Sequence, residues 1–392
     1  MASWHFAIIM IEPRKPRFDL DSVPSPCYVL DEGYLRDNLE RIRYIREKTG
    51  IKFLVAFKGY AMWSTFPLLR EYLDGATASS FHEALLCSEE FGVKAHLCAP
   101  VYLENEIDPV TDIASHITFN SVNQYHRYKE VAQHKGLQMA IRINPEYSEV
   151  GTDLYNPCLP GSRLGVIRSE MGDEIPEGIT GLHFHALCEQ NSDALENTLA
   201  AVEEKFNPHL KKISWLNIGG GHHFTRKDYD VERFINVINR FREKYDLEII
   251  VEPGEAIGWK TGYLVSTVQD IVHANGFRTA MLDVSFSAHM PDCLEMPYKP
   301  LIWEALEPGT GLPTYRMGGN TCLSGDFMGD YSFEEPLKPG DRIIFDDMIH
   351  YTMVKTTTFN GVQHPSIGIW ESNQSFRLIR TFGFKDYKSK LS

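Results

Sequence analysis

Residues 214–254 contain a complete strand–helix–strand unit. The run SWLNIGGG (214–221) is apolar and ends in glycine, VERFINVINRFREKY (231–245) has the spacing of an amphipathic helix, and LEIIVEPG (247–254) is a second apolar run. Two buried strands that are joined by a helix normally lie parallel in one sheet. This stretch therefore indicates an α/β fold with a parallel sheet.

Further apolar runs of strand length precede this unit. They are KFLVAFK (52–58), GATASS (75–80), AHLCAPV (95–101), HITFNS (116–121), QMAIRIN (138–144) and ITGLHFH (179–185). Amphipathic stretches such as WSTFPLLREYL (63–73) and FHEALLCSEEFG (81–92) separate most of them. Eight such repeats match a TIM (β/α)8 barrel in size. The long connection from Pro145 to Gly178 carries glycine and proline, and it predicts an elaborated loop and not a second domain.

After Gly262 the pattern changes to short strands between turns. The predicted strands are YLVSTVQDIV (263–272), RTAMLDVSF (278–286), DRIIFDDM (341–348), HYTMVKT (350–356) and SFRLIRTFG (375–383). We expect the extended segment SPCYVLD (25–31) to join them. The sequence thus predicts a barrel over residues 32–262 and a discontinuous β-domain formed by residues 1–31 and 263–392.

Composition narrows the classes of partner. The formal charge of −14 disfavours nucleic acid and anionic membranes and favours cationic small molecules. The N-terminal apolar run Trp4–Ile11 fits neither a signal peptide nor a membrane span, so a cytoplasmic location is expected. Seven cysteines without a CxxC pair argue against a disulfide framework and a zinc site, and we expect no metal.

Chemically useful residues stand at the ends of the predicted strands, where TIM barrels place their reacting groups. Lys58 ends the first strand, where partial desolvation would keep its amine free to form a Schiff base; the alternative is a surface lysine. Gly219, Gly220 and Gly221 end the seventh, where they form either a phosphate cradle or a tight turn.

The sixth and eighth predicted strands end in residues that suit an aromatic cofactor. Glu252 can hold a pyridine nitrogen protonated, or simply cap its strand. His185 can stack on a flat ring, or be a hydrogen-bonded core histidine. In the C-terminal half, the glycine-rich stretch GGNTCLSGDFMGDY (318–331) carries Cys322 and Asp326, and its thiol is either a proton donor or an inert cysteine.

Several motifs, taken in order along the chain, resemble the fold type III decarboxylases, a family that includes ornithine, arginine, diaminopimelate and carboxynorspermidine decarboxylases. They are SPCYVLD (25–31), VAFKGYAMW (55–63), GLHFHALCE (181–189), NIGGGHHF (217–224), VEPGEAIG (251–258), GGNTCLSGD (318–326) and HYTMVKTTTFNG (350–361). Within the family, FKGYAMWSTFP, EPGE, TCLSGDFMGD and TMVKTTTFNG are most similar to the carboxynorspermidine/carboxyspermidine decarboxylases.

The resemblance implies an enzyme that uses pyridoxal 5'-phosphate to decarboxylate carboxynorspermidine or carboxyspermidine, giving norspermidine or spermidine. It implies that Lys58 carries the cofactor, His185 stacks on its ring, and Glu252 pairs with its nitrogen. It also implies that Gly219–Gly221, Gly254 and Tyr351 contact the cofactor, and that Cys322 of a second subunit in a homodimer is the proton donor. Asp283 and Asp326 are expected to contact the substrate.

The chain departs from the larger decarboxylases at two positions. Glu255 stands where they carry arginine after EPG, and Leu323 stands where an acidic residue usually follows the loop cysteine. A carboxylate suits ammonium groups and not phosphate, so Glu255 is expected to bind substrate and favours a polycationic amino acid. Both departures argue against the nearest alternative, a decarboxylase of diaminopimelate.

Two alternatives belong to other classes. A non-enzymatic cofactor-binding relative of the barrel would lack the C-terminal β-domain that carries Cys322 and Tyr351. A metal-dependent TIM-barrel hydrolase would need clustered histidine and carboxylate ligands at the strand ends, and by position only His185 and Glu252 qualify.

Overall fold

The computed structural model of the chain describes residues 13–309 and 311–392, so the run Trp4–Ile11 lies outside the described residues. Two compact units are present. The barrel unit is Asp37–Ile257, and the sheet unit comprises the described residues before Asp37 and those from Gly258 onward. Among the helices described, none has the length and apolar character needed to cross a membrane.

The described strands fall into these two units. Those of the barrel unit are β2 (Lys52–Ala56), β3 (Gly75–Ala78), β4 (Ala95–Cys98), β5 (Ala114–Phe119), β6 (Gln138–Arg142), β7 (Ile179–His183), β8 (Trp215–Asn217) and β9 (Glu248–Val251). Those of the sheet unit are β1 (Cys27–Asp31), β10 (Gly262–Ala274), β11 (Phe277–Leu282), β12 (Thr314–Gly318), β13 (Phe327–Ser332), β14 (Arg342–Asp346), β15 (Ser366–Trp370) and β16 (Phe376–Arg380).

The helices are mostly short. They are α1 (Glu32–Thr49), α2 (Phe66–Leu69), α3 (Phe81–Leu86), α4 (Ile107–Asp112), α5 (Val122–His134), α6 (Arg168–Met171), α7 (Ser192–Leu210), α8 (Val231–Tyr245), α9 (Glu255–Gly258), α10 (Phe286–His289), α11 (Pro291–Glu295), α12 (Tyr351–Val354) and α13 (Phe384–Ser389). Helix α8 has the predicted bounds, because Asp230 caps its first turn and its apolar stripe is buried.

Strands β2–β9 close into a barrel in which every neighbouring pair is parallel. This confirms the predicted TIM barrel. Its centre holds Leu54, Ala140, Trp215 and Ile250. A Cβ on Gly181 would lie 2.1 Å from the Trp215 ring, so glycine at this position makes room for the indole.

The predicted barrel strands run too far at their carboxyl ends. Strand β2 ends at Ala56 and not at Lys58, β7 at His183 and not at His185, and β9 at Val251. The apolar runs continue past the hydrogen-bonded strands because the following turns are buried as well. Phe57 and Phe184, for example, are at most 1% exposed. Burial alone therefore does not mark the end of a barrel strand.

The sheet unit contains a mixed sheet in the order β13-β12-β11-β10-β1-β15-β16, with β14 paired to β10. Strand β1 lies in its middle, antiparallel to β10 and parallel to β15, as expected for SPCYVLD. The predicted strand HYTMVKT is wrong, because residues Tyr351–Val354 form helix α12. The buried Thr352 hydroxyl donates to Asp292 Oδ2 over 2.8 Å, a tertiary contact that outweighs local β propensity.

Candidate active site

Lys58 lies in a turn after β2 and is exposed, so the expected partial desolvation on a strand is wrong. This turn packs against the turn that follows β9. The Ala56 amide donates to the Pro253 carbonyl over 2.9 Å, and a Cβ on Gly59 would lie 2.9 Å from the Glu255 nitrogen. The close backbone approach requires glycine, and it brings Lys58 beside the EPGE turn.

Gly219, Gly220 and Gly221 form a loop that accepts no larger residue. Gly219 and Gly221 have φ values of 69° and 83°. A Cβ on Gly221 would lie 2.1 Å from the Leu187 carbonyl oxygen, and a Cβ on Gly220 would lie 2.5 Å from that of Glu252. Such a loop fits the close approach of a phosphate group to backbone, as expected for a pyridoxal phosphate site.

The glycine loop is tied to neighbouring side chains. The Gly219 amide donates to Asn217 Oδ1 over 2.9 Å, and the Gly220 amide donates to His185 Nδ1 over 3.0 Å. Two of the three N–H groups are therefore used within the protein. Gly219 and Gly220 therefore present bare backbone to a ligand, because their N–H groups already donate to protein side chains.

His185 is held as a neutral ring directly after β7. Burial, together with the positive charges of Lys58 and Arg142, lowers its pKa well below the usual range. Because Nδ1 accepts from Gly220, the proton of the neutral ring is on Nε2. A neutral, half-buried imidazole whose orientation is fixed is suited to lie against a flat ligand ring.

Glu252 is a buried carboxylate that stays ionised. Asn217 Nδ2 donates to Oε1 over 2.7 Å, and His183 Nε2 lies 3.4 Å from Oε2. Burial alone would raise its pKa, but His183 and Asn217 outweigh it and lower the pKa to about 2. A fixed, ionised carboxylate in a dry site can accept a hydrogen bond from a protonated ring nitrogen.

Glu255 belongs to a cluster that sequence reasoning did not predict. One ligand atom each of Glu189, His223 and Glu255 lies within 4.8 Å of the other two. Such a set can hold a cation, either an organic ammonium or a metal ion. His223 follows the glycine loop directly, but Glu189 had no distinguishing signal in the sequence.

The predicted residues of the sheet unit differ in exposure. Cys322 is exposed, on the loop between β12 and β13, and its amide donates to Asn360 Oδ1 over 2.7 Å. Asp326 is 4% exposed, and its two carboxylate oxygens accept five hydrogen bonds from Ser285, Phe286, Ser287 and Thr321. This carboxylate fastens the cysteine loop, and its contact with substrate stays a prediction.

Asp283 and Tyr351 are the remaining predicted residues. Asp283 accepts hydrogen bonds from Ser25 Oγ, Ser266 Oγ and the Thr267 amide, all between 2.7 and 2.9 Å. Tyr351 is the first residue of α12 and is half-buried. Their contacts with substrate and cofactor stay predictions.

Residues 27–349 match the family model described as "Pyridoxal-dependent decarboxylase, C-terminal sheet domain". A closed barrel with a separate sheet fits this class of protein. A carboxyaminopropylagmatine decarboxylase from Synechocystis sp. is 51% identical over 98% of this chain and 99% of its own length.

Campylobacter jejuni provides two more matches. Its carboxynorspermidine/carboxyspermidine decarboxylase is 41% identical over 94% of this chain and 98% of its own length. A crystal structure from the same organism, of carboxynorspermidine decarboxylase with norspermidine, is 39% identical. It superposes with a TM-score of 0.87 over 94% of this chain and all of that one. The chain belongs to the carboxynorspermidine/carboxyspermidine decarboxylase family of pyridoxal-dependent decarboxylases.

Proposed function

We propose that the chain decarboxylates a carboxylated polyamine with pyridoxal 5'-phosphate as cofactor, in the synthesis of spermidine or norspermidine. The observation that carries this proposal is the ionised, buried Glu252 beside the neutral His185 and the glycine-only loop. Glu252 suits the ring nitrogen of that cofactor, His185 suits the face of its ring, and the glycine loop suits its phosphate. The full-length relatives named for carboxylated polyamines support the proposal over diaminopimelate.

Each residue of the proposed site has one task. Lys58 Nζ would hold the cofactor covalently, with Gly219–Gly221, Gly254 and Tyr351 around it. When bound, pyridoxal phosphate supplies an electron sink for the pair released as CO₂ leaves. His185 would keep the ring plane fixed, and Glu252 would accept a hydrogen bond from the ring nitrogen.

Cys322 is the proposed source of the proton that replaces the carboxylate on Cα. Its exposed thiol lies on a loop anchored at both Asn360 and Asp326, which supports a role needing a fixed position. In this proposal the enzyme is a cytoplasmic homodimer in which the thiol comes from the second subunit. Light scattering on the purified protein measures the oligomeric state directly.

A test of the cofactor assignment is the visible absorbance of the purified protein with pyridoxal phosphate. Lys58→Ala should abolish the absorbance band and CO₂ release. Lys52→Ala is a matched control, because Lys52 lies on β2 and pairs with Glu248 at the surface over 2.8 Å. A band that survives in Lys58→Ala but is lost in Lys52→Ala would contradict the assignment.

The substrate cation is proposed to bind the Glu189–His223–Glu255 cluster, which extends the expected role of Glu255. Losing one charge-assisted hydrogen bond costs about 1.5–3 kcal/mol, or roughly a 10- to 150-fold fall in kcat/KM. Glu255→Gln should therefore raise KM for the carboxylated polyamine. Glu174→Gln removes an exposed carboxylate paired with Lys212 and should change nothing. If dialysis against a chelator abolishes turnover, the cluster holds a metal ion instead.

Carboxyaminopropylagmatine is a second candidate substrate, favoured by the 51% identity to the Synechocystis relative. It ends in a guanidinium group, a planar cation whose N–H groups pair bidentately with carboxylates. Comparing kcat/KM for carboxynorspermidine, carboxyspermidine, carboxyaminopropylagmatine and diaminopimelate ranks the candidates. Preference for diaminopimelate would refute the proposed function.

A further inference from the structure

Glu252 is surrounded by side chains that the proposed mechanism leaves without a task. Asn217, on β8, donates to one carboxylate oxygen, and His183, on β7, lies 3.4 Å from the other. Cys98 Sγ, at the end of β4, lies 3.9 Å from both ring nitrogens of His183. His183 is 1% exposed and Asn217 is 2% exposed. Side chains from three barrel strands, β4, β7 and β8, thus surround the Glu252 carboxylate either directly or through His183.

We infer that His183 and Asn217 are positioning residues that keep the Glu252 carboxylate ionised and fixed in direction, with Cys98 supporting the His183 ring. The inference rests on the proposed function, in which Glu252 faces the cofactor's ring nitrogen. A carboxylate has about four acceptor sites, so each oxygen that is engaged here can accept one more hydrogen bond. The two protein donors thus orient Glu252 without saturating it.

His183 differs in charge from His96 and His116 on neighbouring strands and from His185, which follows β7. Burial lowers the pKa of His96 to about 3 and that of His116 to about 4, and it lowers the pKa of His185 as well. Burial also opposes charge on His183, but Cys98 and Glu252 outweigh it and raise the pKa to about 9. At neutral pH His183 is therefore an imidazolium paired with a carboxylate.

The charge on His183 decides where a shared proton lies. A carboxylate of low pKa is a poor proton acceptor, so a proton between Glu252 and a ring nitrogen stays on the ring. A neutral side chain in place of His183 would leave burial to raise the pKa of Glu252, and the proton would move to the carboxylate at low pH. His183 would thus set the pH range in which the ring remains an electron sink.

Other charged or titratable groups also act on this pair. His96, on β4, is neutral and interacts with Glu252, and Arg142, on β6, lies beside His183 in the strand register. Lys58 and Arg142 act on His185, which lies two residues after His183 in the chain. Because these groups remain in every variant described below, they do not account for differences between the variants.

The first experiment needs no bound cofactor. Imidazole NMR titration of the full-length apoprotein should show one histidine that stays protonated to about pH 8, and that signal should vanish in His183→Gln. In Glu252→Gln the titration should move to lower pH by two units or more. His116→Gln is the matched control, a barrel histidine without contact to Glu252, and should leave the signal unchanged. A wild-type His183 that is neutral at pH 7 overturns the inference.

The second experiment uses the holoenzyme. His183→Gln keeps a hydrogen-bond donor without the charge, so the acid limb of kcat and of the cofactor absorbance should move up by about two pH units or more. If wild type is fully active and the pH profile of His183→Gln matches it, this inference is overturned and the proposed function is not. Absence of any cofactor band in wild type would instead refute the proposed function, and the apoprotein titration would still test the pair. If His183→Gln does not fold, Asn217→Ser and the wild-type titration carry the test.

Discussion

Replacing Asp326 by asparagine tests whether this buried carboxylate anchors the loop that carries Cys322. Oδ1 accepts from Ser285 Oγ at 3.1 Å and from the Phe286 and Ser287 amides at 2.7 and 3.0 Å. Oδ2 accepts from the Thr321 amide at 3.1 Å and from its hydroxyl at 2.6 Å. Asparagine keeps the first oxygen and turns the second acceptor into a donor.

The magnitude follows from the donors that lose their acceptor. In Asp326→Asn the Thr321 amide faces another donor, which costs about 1–3 kcal/mol, and the remaining bonds lose their charge assistance. We expect the free energy of unfolding to fall by about 2–4 kcal/mol. Asp326→Ala leaves three amides without their acceptor and should cost about 3–5 kcal/mol or more.

Urea denaturation measures the free energy of unfolding, and the rate at which a thiol reagent modifies Cys322 reports on the conformation of its loop. Cys322 is the one exposed cysteine of the described chain, so its reaction should form the fast phase, which Cys322→Ala removes. Asp326→Asn should lose stability and kcat together and should change the rate of that phase. Asp330→Asn is the control, since its pair with Arg316 is about one-third exposed and should contribute less than about 1 kcal/mol.

An Asp326→Asn protein of unchanged stability would refute the anchoring argument. If such a protein also had a raised KM with normal kcat, the carboxylate would be a substrate contact, as the sequence predicts. The two roles are therefore separated by one variant and two measurements.

Three more predictions concern the cofactor loop, the sheet unit and the thiol. Gly221→Ala should weaken cofactor binding, measured by titration, and should lower the free energy of unfolding. Gly136→Ala is the control, because its φ is also positive but an added Cβ would meet nothing within 4 Å. The control should cost only the backbone strain of about 1–2 kcal/mol, and Gly221→Ala should cost more. Lys260→Met should cost about 3–5 kcal/mol in denaturation, because it leaves the 1% exposed Asp346 without its cation. Burial raises the pKa of Asp346 from 3.8 to about 6. The contribution of this group to stability is therefore full below pH 3.8 and is lost as pH rises through 6. The Tm deficit of Lys260→Met should accordingly be larger at pH 8 than at pH 5. Cys322→Ala should keep the absorbance band and lose turnover, and unchanged turnover would exclude the thiol as proton donor.

The barrel was predictable because its signal is repeated. Every predicted barrel strand overlaps an observed one, since each is a short apolar run between helical stretches. The residues closing those runs lie in turns after the strands. The sequence correctly places Lys58 and His185 at the carboxyl-terminal end of the barrel strands, although it assigns them to the strands and not to the turns that follow. Their local geometry depends on contacts such as that of Gly59 with Glu255, which are distant in sequence.

The sheet unit was harder to predict. Strand β13, FMGDYS, contains glycine and aspartate, so the sequence predicts a loop there; the strand forms because β12 supplies its register. In the site, His183 was detectable in principle, because it lies two residues before His185 in the predicted sixth strand, and alternate residues of a strand share one face. Glu189 was not, because only the folded chain brings it to His223.

The central place of β1 has a consequence for the order in which the protein is made. Its partners are β10 and β15, which begin at Gly262 and Ser366, after the whole barrel unit has been synthesised. At about 5–20 residues per second, β10 follows β1 by roughly 10–50 s. During that interval an apolar strand has both edges open on the ribosome. The nascent chain must therefore keep Cys27–Asp31 from pairing elsewhere, and chains truncated before Ser366 would leave one edge of β1 permanently exposed.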